Sequence, residues 1–146
     1  MPYVNRARFE VNASPEQAFA LFSDLTRSHE WATNPLKVES LSGGQTGVGA
    51  KYRSEAQFMG KEVHAEQEVT AYEPATHFAF TNTEGNERYL QDFTFRADGN
   101  KTIVDRTITF LVPGFRGMMI RLVVPIVSKK FDKQNMEKLA QVFPGT

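Results

Sequence analysis

The segment 101–127, KTIVDRTITFLVPGFRGMMIRLVVPIV, contains the change of pattern that decides the fold. Over 102–110 apolar and polar side chains alternate, which is the period of a strand with one buried face. After Pro113-Gly114 the apolar residues recur every three or four positions, which predicts a long C-terminal helix. Pro125 is expected to kink this helix, since proline cannot donate to the preceding turn.

Upstream of this segment, turn residues separate further runs of alternating side chains. They predict an antiparallel sheet whose consecutive strands cover 36–41, 48–58, 63–73, 78–82, 89–96 and 102–110. Another strand is predicted over Tyr3–Val11, before two short helices. The first helix should begin at Ser14, because Ser14 and Gln17 can form a capping box around Pro15. The second is predicted over 26–33.

The order of these elements predicts the fold class. A long sheet with a single long helix must curl around that helix to bury its apolar face. We therefore expect an α+β helix-grip domain over 1–146, a curved antiparallel sheet of about seven strands (β-α-α-β6-α) around the C-terminal helix. A cavity would form in the concave space between sheet and helix.

Composition excludes several classes of site and partner. The chain has no cysteine, so it has no disulfide framework, thiolate nucleophile or Cys-based zinc site. Its three histidines lie far apart, and we expect no metal and no cofactor. The net charge is zero, which argues against nucleic acid as a partner. No apolar run suits a signal peptide or a membrane span, so a soluble, cytoplasmic protein is expected.

Polar residues at inward positions are the most informative feature of the predicted sheet. Arg106 interrupts the apolar row of the last strand, Gln91 lies between Tyr89 and Phe93, and Gln67 is similarly placed. An unpaired buried polar group costs about 1–3 kcal/mol, so each should have a partner: water, another side chain or a ligand. For Arg106 two interpretations stay open, a local ion pair at the sheet margin or an anchor for a ligand carboxylate or carbonyl.

The predicted pocket wall combines these groups with inward aromatic and helical residues. The same residues would also suit a solid core, and the two interpretations differ only in whether space remains. No catalytic residue is identified. The ligand-binding residues predicted are Trp31, Tyr52, Phe58, Phe80, Tyr89, Gln91, Phe93, Arg106, Ile108, Met119, Leu122 and Ile126.

Short motifs along nearly the whole chain resemble a known family. They are Val11-x-Ala13-Ser14-Pro15-Glu16-x-Ala18-Phe19, Trp31, Gly47-x-Gly49-x-x-Tyr52, Val69-Thr70-x-Tyr72-Glu73-Pro74 and Gly99-x-x-Thr102-x-Val104. The chain resembles the polyketide cyclase/dehydrase and lipid-transport group of the START-like superfamily (SRPBCC), which includes the birch-pollen allergens. The resemblance implies the helix-grip fold. Its members range from carriers and receptors to cyclases, so it does not by itself settle function.

Three functions follow as expectations. The favoured one is binding or transport of a hydrophobic small molecule, such as a lipid or polyketide. The alternatives are a cyclase or dehydratase-like enzyme, in which Arg106, Tyr52 or Asp92 could serve as acid or base, and a protein-interaction or stress-response module.

A membrane surface is a possible partner of the C-terminal helix. Residues 113–146 contain six Lys or Arg and two acids, and the helix start 115–121 mixes apolar and basic residues. Transient contact with anionic lipid and a solvated core helix would both give this pattern. The protein is expected to be a monomer or a homodimer.

Overall fold

The computed structural model describes residues 2–32, 37–43, 47–58 and 60–144, apart from the side chain of Phe58. Its seven strands form one antiparallel sheet in the order β1-β7-β6-β5-β4-β3-β2. The strands are β1 (Tyr3–Val11), β2 (Lys37–Ser40), β3 (Lys51–Phe58), β4 (Lys61–Glu73), β5 (His77–Glu84), β6 (Glu87–Asp98) and β7 (Lys101–Leu111). The helices are α1 (Pro15–Ser23), a 3₁₀ helix (Leu25–Glu30) and α2 (Gly114–Val142). The predicted α+β helix-grip fold is confirmed.

The start of α1 follows from its capping box. The Ser14 hydroxyl accepts from the Gln17 backbone N–H at 3.2 Å, and Gln17 Oε1 accepts from the Ser14 backbone N–H at 3.1 Å. Two amides that would otherwise lack partners are thereby satisfied. The second predicted helix is a shorter 3₁₀ helix, and 33–36 lies outside the described residues. Together these helices cover one end of the sheet with Phe19, Leu21 and Phe22 in the core.

The long helix α2 leaves space over the middle of the sheet. Its backbone approaches the sheet along β1 and also contacts the 3₁₀ helix. It continues as one helix through Pro125. No helix within the described ranges has both the length and the hydropathy to cross a membrane.

The rotation of α2 about its axis corrects three predicted positions. The buried face is formed by Ile120, Val124, Asn135 and Leu139. Leu122 and Ile126 lie on the opposite side, where their side chains are 65% and 77% exposed, and Met119 is half-buried away from the cavity. The prediction that these three residues line the pocket was wrong, because the inward face begins at Ile120 rather than at Met119.

Candidate functional site

A cavity of about 240 Å³ lies between the concave face of the sheet and α2. Its floor comes from β3 to β7 and its roof from α2 through Val124, Val127, Ser128 and Phe131. Beside β3 and β4 the wall includes the exposed side chain of Gln57, so this end reaches solvent. Most of the wall surface is apolar, and polar side chains such as Gln67, Asn82 and Asp132 interrupt it.

Seven of the twelve predicted residues line this cavity: Trp31, Phe80, Tyr89, Gln91, Phe93, Arg106 and Ile108. They come from β5, β6, β7 and the residue after the 3₁₀ helix. That these residues bind a ligand stays a prediction. The side chain of Phe58 lies outside the described part of the structure.

Tyr52 faces the same side of the sheet but belongs to the packed core. It is only 2% exposed and does not line the cavity, whereas Ser54, two residues further along β3, does. Burial raises the pKa of the Tyr52 hydroxyl, so it stays protonated at neutral pH. Its predicted place on the pocket wall is therefore corrected.

Arg106 is paired inside the cavity wall. Its Nη2 donates to Asp132 Oδ1 on α2 at 3.1 Å, and its guanidinium lies 5.3 Å from the centre of the Phe9 ring. The two side chains are 11% and 27% exposed. Burial lowers the pKa of Arg106 and raises the pKa of Asp132, so for each group the loss of solvation outweighs the attraction of its partner. The ion-pair interpretation of Arg106 is correct, and the pair lies at the cavity rather than at the sheet margin.

Four residues that line the cavity each have a buried polar atom that lacks a hydrogen-bond partner among the described residues. The atoms are Trp31 Nε1, Gln67 Oε1, Asn82 Oδ1 and Arg106 Nε. Gln67 and Asn82 are directly opposed on neighbouring strands β4 and β5, so their amides lie side by side. Buried polar groups without a protein partner are rare in folded proteins, because burial without a compensating hydrogen bond is unfavourable.

A second polar group lies where β6 meets the start of α2. The Tyr89 hydroxyl donates to Glu87 Oε1 at 2.8 Å, and Arg116 Nε lies 2.7 Å from Glu87 Oε2. Burial, together with this hydrogen bond, raises the pKa of Tyr89 to about 12. Tyr89 is therefore a neutral donor that is already engaged, and Arg116 already has a carboxylate beside it.

The aromatic wall is built around Trp31, the only tryptophan of the chain. Its ring centre lies 4.4 Å from that of Phe22 and 6.1 Å from that of Phe93. These contacts hold the indole ring in the cavity wall, with its Nε1 buried. A single indole N–H in the cavity wall is also a convenient spectroscopic reporter.

Other candidates for acid–base chemistry lie outside the cavity. Asp92 is on the outer face of the sheet, where His77 Nε2 lies 2.8 Å from its carboxylate and His77 Nδ1 lies 3.4 Å from Glu73. The hydrogen bond to Asp92 raises the pKa of His77. His64 is likewise exposed, with Glu55 and Glu62 beside it. The sequence-based suggestion of Asp92 as an acid or base in the pocket is therefore corrected.

Several wall residues are missing from the sequence-based prediction. Asp132, Ser128, Phe131 and Asn135 extend the inward face of α2, and Asn82 continues the inward row of β5. The signal that could have found Asp132 is its position four residues after Ser128 and eight after Val124, which places all three on one side of a helix.

Comparisons with known proteins agree with this architecture. A family model described as "polyketide cyclase / dehydrase and lipid transport" matches residues 5–144. No curated protein matches the chain in sequence.

Several solved structures share the fold at low sequence identity. The protein TTHA0849 from Thermus thermophilus is 23% identical with a TM-score of 0.76, and the match covers 95% of each chain. A START superfamily protein from Mycobacterium smegmatis is 14% identical, TM-score 0.74, covering 95% of this chain and 98% of that one. The Zhui aromatase/cyclase from a Streptomyces species is 16% identical, TM-score 0.73, covering 99% and 98%.

Proposed function

The chain belongs to the polyketide cyclase/dehydrase and lipid transport family, and we propose that it binds a small hydrophobic molecule in the cavity under α2. The observation that carries this proposal is the cavity itself, about 240 Å³ with a mostly apolar wall. Space of this kind in a core forfeits packing contacts, since protein interiors are otherwise close-packed. A ligand would restore those contacts.

The size of the cavity limits what it can enclose. An apolar cavity of about 150 Å³ accommodates benzene. In proportion, 240 Å³ would enclose about ten non-hydrogen atoms. This supports a compact one- or two-ring molecule, with any longer substituent leaving past Gln57 at the open end.

Titration with naphthalene tests the proposal, because its ten carbon atoms match this volume. We expect it to shift the single indole N–H resonance of Trp31. Ser128→Phe should abolish the shift by filling the cavity from α2, whereas Ala140→Phe, at an exposed position of the same helix, should not. Melting curves of both variants verify that they fold. A wild-type spectrum unchanged by saturating naphthalene would count against the proposal.

A catalytic role is the second candidate, and Asp132 is the observation that favours it. Its carboxyl lies on the cavity wall beside Arg106, and burial raises its pKa, as is common for general acids. The test is dehydration of 4-hydroxy-4-phenylbutan-2-one, whose enone product is followed by its ultraviolet absorbance. A cyclase/dehydratase-type enzyme would accelerate this reaction, and Asp132→Asn would remove the acceleration while ligand binding persists.

Contact with an anionic membrane is proposed as the way a ligand reaches the cavity. The outer apolar stripe of α2 (Phe115, Met118, Leu122 and Ile126) is 61–77% exposed. Residues 114–131 contain four Lys or Arg and no acid. A symmetric dimer through this face would oppose like charges, whereas anionic lipid would complement them. The same turns of α2 form the cavity roof, so the membrane would lie against the element that covers the ligand.

A further inference from the structure

Opposite charges face each other across the outer side of β3 and β4, away from the turn that joins these strands. Lys51 on β3 is directly opposite Glu68 on β4, and its Nζ lies 4.0 Å from Glu68 Oε1. Arg53 is directly opposite Glu66 in the same way. Such cross-strand pairs stabilise a sheet modestly. Each carboxylate of these two rows therefore has a basic residue across from it.

The two rows nearer the turn break this pattern. Glu55 is directly opposite His64, and Gln57 is directly opposite Glu62. These rows contain two carboxylates and an imidazole but no lysine or arginine. Because side chains alternate along a strand, Glu62 and His64 share one face of β4, whereas Lys61 points to the other. A bound cation would supply the positive charge that these rows lack.

Glu55, Glu62 and His64, the hairpin cluster, bring their ligand atoms close together. His64 Nε2 lies 3.1 Å from Glu62 Oε1, and His64 Nδ1 lies 3.9 Å from Glu55 Oε1. One ligand atom from each of the three residues lies within 4.8 Å of the other two. Ligand atoms around a tetrahedral zinc ion are about 3.4 Å apart, as bonds of about 2.1 Å require. The three side chains are 39–61% exposed, so they have room to rotate into this arrangement.

His77 shows that a histidine between two carboxylates is not sufficient for such a cluster. Its Nε2 lies 2.8 Å from Asp92, and its Nδ1 lies 3.4 Å from Glu73. The two carboxylates are thus on opposite sides of the ring and do not meet at one point. Within the described residues, the hairpin cluster is the single group of three or more potential metal ligands that does. His77 therefore provides a matched control.

From this geometry and the chemistry of the donors, we infer that the hairpin cluster binds a divalent transition-metal ion, with zinc as the best match. Histidine and carboxylate ligands are a common donor set for zinc, and three protein ligands leave a position for water. Mg²⁺ and Ca²⁺ prefer oxygen ligands, and the cluster offers only two carboxylates. The wide spacing of the histidines predicts no metal, but it does not report Glu55, which joins the cluster through strand pairing.

A bound ion would join β3 to β4 beside the open end of the cavity. Ala56 and Val63 are directly opposite each other on the inner side of the same hairpin, and both line the cavity. The ion would bind the paired strands and not the unfolded chain, so it should stabilise the folded protein. The metal site does not depend on whether the cavity holds a ligand.

Calorimetric titration of zinc chloride into metal-free protein without a histidine tag tests the inference. We expect one ion to bind per chain. His64→Gln should weaken binding at least about tenfold, since even the outer-shell partners of metal ligands typically contribute about 10–100-fold. Glu62→Gln, which removes a charge at nearly constant size, should have the same effect. His77→Gln should leave the affinity unchanged, and unfolding curves without zinc verify that all three variants fold.

Two further measurements locate the ion. Zinc should shift the ring resonances of His64 and leave those of His77 in place. It should also raise the melting temperature of the wild-type protein but not that of His64→Gln. Magnesium and calcium at the same concentration should produce neither effect.

Three results would overturn the inference. Absence of binding at millimolar zinc would leave His64 as a surface partner of the two glutamates and nothing more. Zinc binding that is unaffected by His64→Gln would place the ion elsewhere on the protein. Calcium binding as tight as zinc binding would indicate general attraction of cations to carboxylates rather than a site with a histidine ligand.

Discussion

Replacing Asp132 with leucine should destabilise the protein strongly, because it leaves the charge of Arg106 without a partner. Removal of one member of a buried ion pair typically costs about 3–5 kcal/mol. The Arg106 side chain is only 11% exposed, but the cavity gives it room to readjust and Asp132 is 27% exposed. We therefore expect Asp132→Leu to lower the free energy of unfolding by about 3 kcal/mol, near the lower end of that range.

The double variant Arg106→Met/Asp132→Leu tests the reasoning more sharply. Burial disfavours the charged form of both residues, lowering the pKa of Arg106 and raising that of Asp132. Removing both charges should therefore restore the free energy of unfolding to within about 1 kcal/mol of wild type, or exceed it. The implied coupling energy is at least about 2 kcal/mol, which is within the range measured for residues in contact.

Urea unfolding followed by circular dichroism measures all four proteins of this cycle, with the slope of each transition checked for constancy. An Asp132→Leu protein as stable as wild type would show that the Arg106 guanidinium reaches water in the folded protein. A double variant less stable than both single variants would show that the pair stabilises the fold, contrary to the directions of both pKa shifts. A raised binding affinity for naphthalene in the double variant would be expected, since its wall is less polar.

Three further predictions concern His77, Gln67 and the outer apolar stripe. The pKa of His77 is raised in the folded protein, so protonated His77 stabilises the fold, and His77→Gln should remove this stabilisation. The stabilisation is fully present below pH 6.5, the usual pKa of histidine, and disappears as the pH rises through the folded-state pKa. Unfolding at several pH values should show a difference of about 0.5–1 kcal/mol at mildly acidic pH and none at alkaline pH. Gln67→Leu should raise the free energy of unfolding by about 1 kcal/mol, since it removes a buried polar atom that lacks a partner among the described residues. A lower free energy of unfolding in urea would contradict this prediction. Leu122→Ser/Ile126→Ser should reduce co-sedimentation with phosphatidylserine vesicles severalfold, with phosphatidylcholine vesicles and Val48→Ser, at another exposed apolar residue, as controls. Unchanged sedimentation would exclude the stripe as the contact surface.

The sheet could be predicted from sequence because its signals are local. Alternation along 102–110 and the turn at Gly99 place β7 within one residue of its observed ends, and Ser14 and Gln17 mark the start of α1. One face of each strand is buried and the other solvated, so side-chain polarity reports orientation directly. Arg106 and Gln91 were recognisable as inward for the same reason.

The rotation of α2 could not be predicted in this way. Nine of the ten residues in 118–127 are apolar, with Arg121 the exception, so hydrophobicity hardly distinguishes the inner from the outer face. Asp132 was missed for the opposite reason. It lies among three lysines, in a segment that looks solvated, and its spacing from Val124 and Ser128 indicates the cavity only once the inward face of α2 is known. The contact with Arg106 is visible only in the structure. Contacts between elements distant in sequence leave no local pattern.

The positions where the sequence departs from simple patterning coincide with the cavity. Arg106 interrupts an apolar row, Gln67 and Asn82 oppose each other on the buried face, and all three contribute polar atoms that the described part of the fold leaves unsatisfied. A sequence under selection for stability alone would favour apolar residues there, since replacing either amide, or Arg106 and Asp132 together, is expected to be neutral or stabilising. Local rules fail in this way mainly at functional or strained sites. The unfavourable burial of these groups therefore supports, independently of the cavity's volume, the proposal that this cavity binds a ligand.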